Sequence, residues 1–220
     1  MATLAPPEIR FSRAAWLRQV LAERVVDGTY APGERIREAA LQGEFGFSNG
    51  PVREALQQLV ADGLAERAPW RGVRVIALDE QQVIDLFQLR AALLEYAAEL
   101  AARRADTAAV ESAHALRKSL ARKFSAARSG RPPPVTGDTT DWVMSVASNP
   151  SISEVWRATM LRSRIYVYQS MKQTAGAHTE PIIATLIDAI VRKKPVAARK
   201  AARALTRQML ADLDIGEGSP

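Results

Sequence analysis

Cysteine is missing from this 220-residue chain. Its absence excludes disulfide cross-links, thiolate metal centres and cysteine nucleophiles, and it suits a reducing compartment. Histidine is scarce: only His114 and His178 occur, so an imidazole-built metal site or catalytic dyad has little to draw on. A glycine-rich phosphate loop is lacking, which leaves only scattered carboxylates for catalysis and points away from an enzyme. No apolar run approaches the roughly 20 residues that span a bilayer, and no basic stretch leads into an apolar one at the N-terminus. The expectation is a cytoplasmic protein with no membrane partner and no cofactor.

What is present is an ordinary globular composition, 47% apolar, with 30 basic against 24 acidic residues and a net charge of +6. The excess is uneven. Residues 1–78 hold 10 basic and 9 acidic groups, so DNA binding by this part would rest on the placement of a few arginines rather than on bulk charge.

Periodicity divides the chain in two. MATLAPP has no pattern and reads as a loose arm. From Glu8 to Asp27 the residues Ile9, Ala14, Leu17, Val20, Leu21 and Val25 roughly follow helical spacing, and Gly28 stops it. YAPGERI is a Pro-Gly turn, after which Ile36, Ala40 and Leu41 predict a short helix ending near Gly46. A third helix is expected from Ser48 to Asp62, with Val52, Leu56 and Leu59 inward and Gly63 closing it. LAERAPWRGVRVIAL then holds two β-like runs, 64–67 and 73–76, around a turn with Pro69 and Gly72. Three helices and a hairpin are the layout of a winged helix-turn-helix. Beyond Asp79 the strand signal disappears, and helices are expected at about 80–104, 107–128, 138–148, 151–173, 179–193 and 195–213. The predicted fold is mainly α: a winged helix-turn-helix at 8–78 followed by an all-helical bundle at 79–214.

In a helix-turn-helix the second helix of the pair enters the major groove, N-terminal residues foremost. Ser48 suits the N-cap, where its hydroxyl would accept a backbone N–H, and Pro51 is tolerated because first-turn N–H groups have no partner within the helix. Asn49, Arg53 and Gln57 recur at i, i+4 and i+8 opposite the apolar face. Arg and Asn suit bidentate base contacts. The same stripe would also serve as the solvated face of a protein-interaction module.

The run PGERIREAALQGEFGFSNGPVREALQQLVADGLAERAPWRGVRVIAL closely resembles the DNA-binding domain of GntR-family bacterial transcription regulators. Its matching pieces are the PG turn, Phe-Gly-Phe-Ser, Pro51 to Leu56, the Asp62-Gly63-Leu64 exit and the Arg71-Gly72 wing. The resemblance implies a double-stranded DNA operator as partner, with Arg53 at a DNA-contacting arginine and Gly72 at the wing tip. Arg35, Arg37, Ser48, Asn49, Gly50, Gln57 and Arg71 complete the DNA-facing set. Two departures stand out: Asn49 and Ala39 occupy positions where relatives place arginine. Their loss should weaken phosphate binding or change the operator read.

DEQQVIDLFQLRAALLEYAAELAARRAD, VASNP at 146–150 and LIDAI at 186–190 resemble the FCD-type ligand-binding domain of one GntR subfamily. Many such domains bind a divalent metal through an Asp and three His. Here the resemblance puts the first two positions near Gly137 or Asp138 and at Asp141, and the later histidines near Ile183 and Leu205. Ile and Leu offer no lone pair, so no metal is expected. His178 is expected in an exposed loop.

Within the apolar stripe Val83, Leu86, Phe87, Leu94 and Ala97 falls Arg90. A buried guanidinium calls for a carboxylate, from the protein or from a ligand. The expectation is a small organic-acid effector anchored by Arg90, with Asp141, Arg162, Tyr166 and Gln169 beside it. The alternative pairs Arg90 with Asp141 or with Glu95 of another subunit, in a regulator that no longer senses anything. Two-fold operators and the family both imply a homodimer, and a repressor.

Overall fold

Ser12 caps the first described helix, its hydroxyl accepting the Ala15 N–H at 3.1 Å. In this computed structural model, which describes residues 12–68, 72–129 and 137–215, the chain divides into two units, Met1–Leu78 and Asp79–Pro220. Helix α1 (Arg13–Val26) buries Leu17, Leu21 and Val25 along one stripe. Helix α2 (Glu38–Phe45) ends at Gly46, whose φ of 65° is a left-handed stop that favours glycine. Helix α3 (Asn49–Ala61) buries Val52, Ala55, Leu56 and Leu59 and packs on α1. Trp16 meets Phe45 and Phe47 edge-on, with ring centroids 5.6 and 5.9 Å apart, which ties α1 to the α2–α3 turn. Arg24 donates to both oxygens of Glu44 at 2.9 and 2.5 Å; this bidentate bond holds the Glu44 carboxyl below its ordinary value. The expected helix start at Glu8 lies outside the described residues.

Strands β1 (Arg35–Ile36), β2 (Ala65–Ala68) and β3 (Gly72–Val75) form one antiparallel sheet in the order β1-β3-β2. Ile36 stands opposite Val73, and Ala65 opposite Val75. β1 corrects the sequence reading, which had only a turn and a helix there. Two residues show no alternation, so the strand exists because Val75 N–H finds Glu34 O at 2.8 Å rather than through any pattern of its own. The effect is to pin the α1–α2 connection to the wing.

Among the described residues the second unit has six helices: α4 (Glu80–Arg104), α5 (Thr107–Arg128), α6 (Gly137–Ala147), α7 (Pro150–Thr174), α8 (Thr179–Val191) and α9 (Pro195–Ala211). Their starts are chemically marked. Asp79 and Gln82 exchange backbone N–H bonds at 2.8 and 3.0 Å in a capping box. Asp106 and Asn149 accept the N–H groups of Ala109 and Ile152, and prolines open α7 and α9. α4 is the centre of the bundle, packed by α6, α7, α8 and α9. Ala97, Ala98, Ala101 and Ala102 on α4 and Ala198, Ala201 and Ala202 on α9 are all buried. Such small side chains let the two helix backbones come close. Arg104 donates to the carbonyls of Ala147 and Ser148, closing the C-terminal end of α6.

Candidate nucleic-acid interface and buried cation

Helix α3 presents Asn49, Arg53 and Gln57 to solvent on one face while its opposite face is the core. Between this face and the sheet runs a groove of about 550 Å³, with Glu38, Arg53 and Gln57 on one side and Arg67, Gly72 and Val73 on the other. Arg53 Nε donates to Glu38 Oε2 at 3.0 Å, and the side chain stays 62% exposed. That bond orients the guanidinium from behind and leaves its two terminal nitrogens unbonded among the described residues. Gln42 Nε2 donates to Asn49 Oδ1 at 3.4 Å, steadying the amide that stands in place of an arginine.

Ser48 requires a correction. It occupies the N-cap position, yet its hydroxyl makes no capping bond. The reason is local: the third helical residue is Pro51, which has no N–H to donate. The exposed hydroxyl and the first-turn amides are thereby left at the positive end of α3. A Cβ added at Gly50 would meet nothing within 4 Å, so the chain's own packing does not demand glycine there. At Gly72 the backbone does, with φ of 82°. Arg35 and Arg37 are exposed on β1 and at the start of α2. Arg71 lies outside the described residues.

In the second unit Arg90 is 8% exposed. Its guanidinium lies 3.5 Å from the centroid of the Trp156 ring, donates to Thr159 Oγ1 at 2.8 Å, and reaches Trp156 O at 3.4 Å. Loss of water lowers its pKa to about 10, against the attraction of Asp141. The protein carboxylate expected at Arg90 is not at ion-pairing distance: no acid among the described residues lies within 4.0 Å of it. Glu95 is taken within the same chain by Arg203, at 2.7 and 2.9 Å. Asp141, on the exposed side of α6, has its carboxyl raised by loss of water and by Asp138, with Arg90 and Arg164 pulling it down. Among the described residues, three buried side-chain atoms on α6 and α7 have no hydrogen-bond partner: Thr139 Oγ1, Trp156 Nε1 and Arg162 Nε. Tyr166 is buried and Gln169 half-buried on the same α7. Sequence reasoning missed Trp156, Thr159 and Arg164; the one available signal was a Trp-x-x-Thr pair on an inward stripe of α7.

The residues do not fit a divalent metal. Ile183 and Leu205, at the implied histidine positions, are 2% and 1% exposed and fill core. No group of three or more His, Asp or Glu that would hold an ion occurs among the described residues. His178 is 58% exposed as expected, but Nδ1 sits 2.8 Å from the buried Asp212 carboxylate. Ser170 and Gln208 donate to the same carboxylate at 3.2 and 2.9 Å. This is a closed polar cluster fixing the α8 start to the end of α9.

Residues 15–75 match the family of bacterial regulatory proteins described as the gntR family. The chain is 36% identical over 86 residues to an HTH-type transcriptional regulator of Bacillus subtilis, YdhC, covering 39% of this chain and 38% of that protein. It is 37% identical over 71 residues to the HTH-type transcriptional repressor GlaR of Escherichia coli, 32% of each. The matches thus span about a third of those relatives' lengths. Across both units the fold is that of E. coli McbR/YncC, with a TM-score of 0.71 at 20% identity over 93% of this chain and 98% of that one. These relatives are regulators rather than enzymes, and no described helix is long and apolar enough to cross a membrane. Residues 15–75 therefore combine the winged helix-turn-helix fold with a match to the gntR family of bacterial regulatory proteins.

Proposed function

We propose that this chain is a cytoplasmic DNA-binding transcription regulator, acting as a repressor, whose homodimer reads a two-fold double-stranded operator through α3. The observation that carries this reading is the exposed stripe Asn49, Arg53 and Gln57 beside the wing groove, in a segment that matches the gntR family. Arg53, its terminal nitrogens unbonded among the described residues, suits the paired acceptors of guanine, and Asn49 suits adenine. The bare backbone at Gly50 permits close approach, and the uncapped amides at the start of α3 suit a phosphate. Selection from a pool of random duplexes tests the proposal. An enriched two-fold motif is the expected outcome; a bound pool no different from the input would overturn it.

The second unit, on this reading, is of the FCD type and senses a small organic acid without a metal. Arg90 supports it: a desolvated cation with no carboxylate at ion-pairing distance among the described residues is a ready anchor for a ligand carboxylate. The unpartnered donors Trp156 Nε1 and Arg162 Nε add to the demand for an acceptor. An acid that favours one spacing of the two winged helices would shift operator affinity, and DNA would shift acid affinity equally. A thermal-shift screen of small mono- and dicarboxylates on the wild type and on Arg90→Met reads this out. Stabilisation of the wild type alone is expected, and a panel without effect on either protein would contradict it.

A further inference from the structure

Strand alternation decides which face of the wing carries Arg67. On β2 the buried Ala65 stands opposite the buried Val75, and two residues on Arg67 stands opposite Val73. Residues two apart share a face, so Arg67 continues past the edge of the core on the side that packs against α3. Glu66 and Arg74 hold the other face and bond each other at 2.6 Å. Arg67 thus enters the groove of about 550 Å³ from the hairpin side, across from Arg53 and Gln57 of α3. It is exposed and makes no hydrogen bond or ion pair among the described residues. Arg18, Arg24, Arg53 and Arg74, by contrast, each bond an acid of their own unit.

The dimensions of a duplex say what runs between helix and hairpin. The major groove is about 12 Å wide and a helix with its side chains about 10–12 Å across, so α3 fills the groove it enters. A hairpin beside it has no room there and must lie over the sugar–phosphate strand that bounds that groove. The cleft between α3 and the β2–β3 hairpin is then the path of one backbone strand. Its chemistry agrees. Val60 and Val73 offer half-buried apolar walls to the sugars. Glu38, the acid in this lining, is occupied by Arg53 at 3.0 Å. Arg67 presents a planar fork that matches two phosphate oxygens.

We infer that Arg67 is a DNA-contacting residue that clamps the backbone strand passing between α3 and the wing, and that it supplies a phosphate-bound cation in place of those missing at Ala39 and Asn49. This rests on the operator-binding reading above and deepens it. Arg53 reads a base, whereas Arg67 holds the strand whatever its sequence. The run AERA gives no sign of this role, because only the register with Val73 turns Arg67 towards α3.

The test is fluorescence anisotropy of the full chain on the duplex upstream of its own gene and on a scrambled duplex of equal length, between about 50 and 200 mM salt. Wild type is compared with Arg67→Gln, Arg67→Lys and Arg74→Gln. Arg74→Gln removes the same charge from the opposite face of the hairpin and so controls for charge in bulk. Arg67 is exposed and unpaired among the described residues, so its variants should match the wild type in circular dichroism. Arg67→Gln is expected to weaken both duplexes alike, by roughly ten-fold at low salt, and to make the slope of log affinity against log salt shallower by about one unit. Arg67→Lys should recover most of that slope, since an ammonium still displaces a counterion, and Arg74→Gln should keep the wild-type slope. Wild-type binding that Arg67→Gln leaves unchanged in strength and slope, or that Arg74→Gln alters equally, would overturn the clamp and leave the regulator standing. A loss confined to the upstream duplex would also overturn it, because that is the mark of a base contact. No binding by the wild type even at low salt would overturn both.

Discussion

Arg90 and Asn49 are single residues at which local rules give way, and both gain a physical account. A guanidinium that is 8% exposed and held by a ring face, a hydroxyl and a carbonyl is solvated by weak partners. Replacing such a group by an apolar side chain of similar length removes the desolvation penalty with it. Arg90→Met is therefore expected to be no less stable than the wild type, within about 1 kcal/mol in urea unfolding, while losing the acid response. A loss of several kcal/mol would mean that Arg90 is structural instead. Asp141 predicts a pH dependence of definite sign. Its carboxyl is raised above the ordinary 3.8, so the folded chain binds this proton more readily than the unfolded one does. Its destabilising effect is full at neutral pH, shrinks as pH falls through the raised value, and is gone below 3.8. Asp141→Asn should raise the melting temperature at pH 7 and make no difference at pH 3; an equal effect at both would contradict this assignment. Arg90 could be picked out in sequence because it interrupts an apolar stripe. Its surroundings could not, since Trp156 and Thr159 approach it across 66 and 69 residues of chain and nothing local encodes that meeting.

At the level of elements, legibility tracked length and punctuation. The six helices beyond Asp79 fall within about two residues of their expected limits because Asp79, Asp106 and Asn149 cap three of them with side-chain bonds and Pro150 and Pro195 begin two. β1 went unseen because a two-residue strand has no period and is defined by its partner. The α7–α8 turn held a constraint that composition did not reveal. Gly176 has φ of 75°, and a Cβ there would lie 2.5 Å from Cε1 of the buried Phe124 and 2.9 Å from Met171 Cε. Both the backbone and the packing require glycine. Gly176→Ala is expected to destabilise the second unit by about 2–4 kcal/mol in denaturant unfolding. A change below about 0.5 kcal/mol would show that Phe124 moves aside freely.

For the whole molecule the central claim is that α3 reads DNA through a few placed cations rather than through charge in bulk. The N-terminal 78 residues hold only one more basic than acidic group, so each cation at the interface carries an unusual share of the salt dependence. Asn49, steadied by Gln42, leaves one fewer. Restoring it by Asn49→Arg should tighten binding and steepen the slope of log affinity against log salt by about one unit. The most direct test is a fluorescence-anisotropy titration of wild type, Arg53→Ala and Asn49→Arg against the duplex upstream of the chain's own gene and a scrambled duplex of equal length, between about 50 and 200 mM salt. The account predicts preference for the upstream duplex, a loss of about ten- to hundred-fold on that duplex for Arg53→Ala, and the steeper slope for Asn49→Arg. Equal binding of both duplexes by all three proteins, at an affinity indifferent to salt, would contradict it.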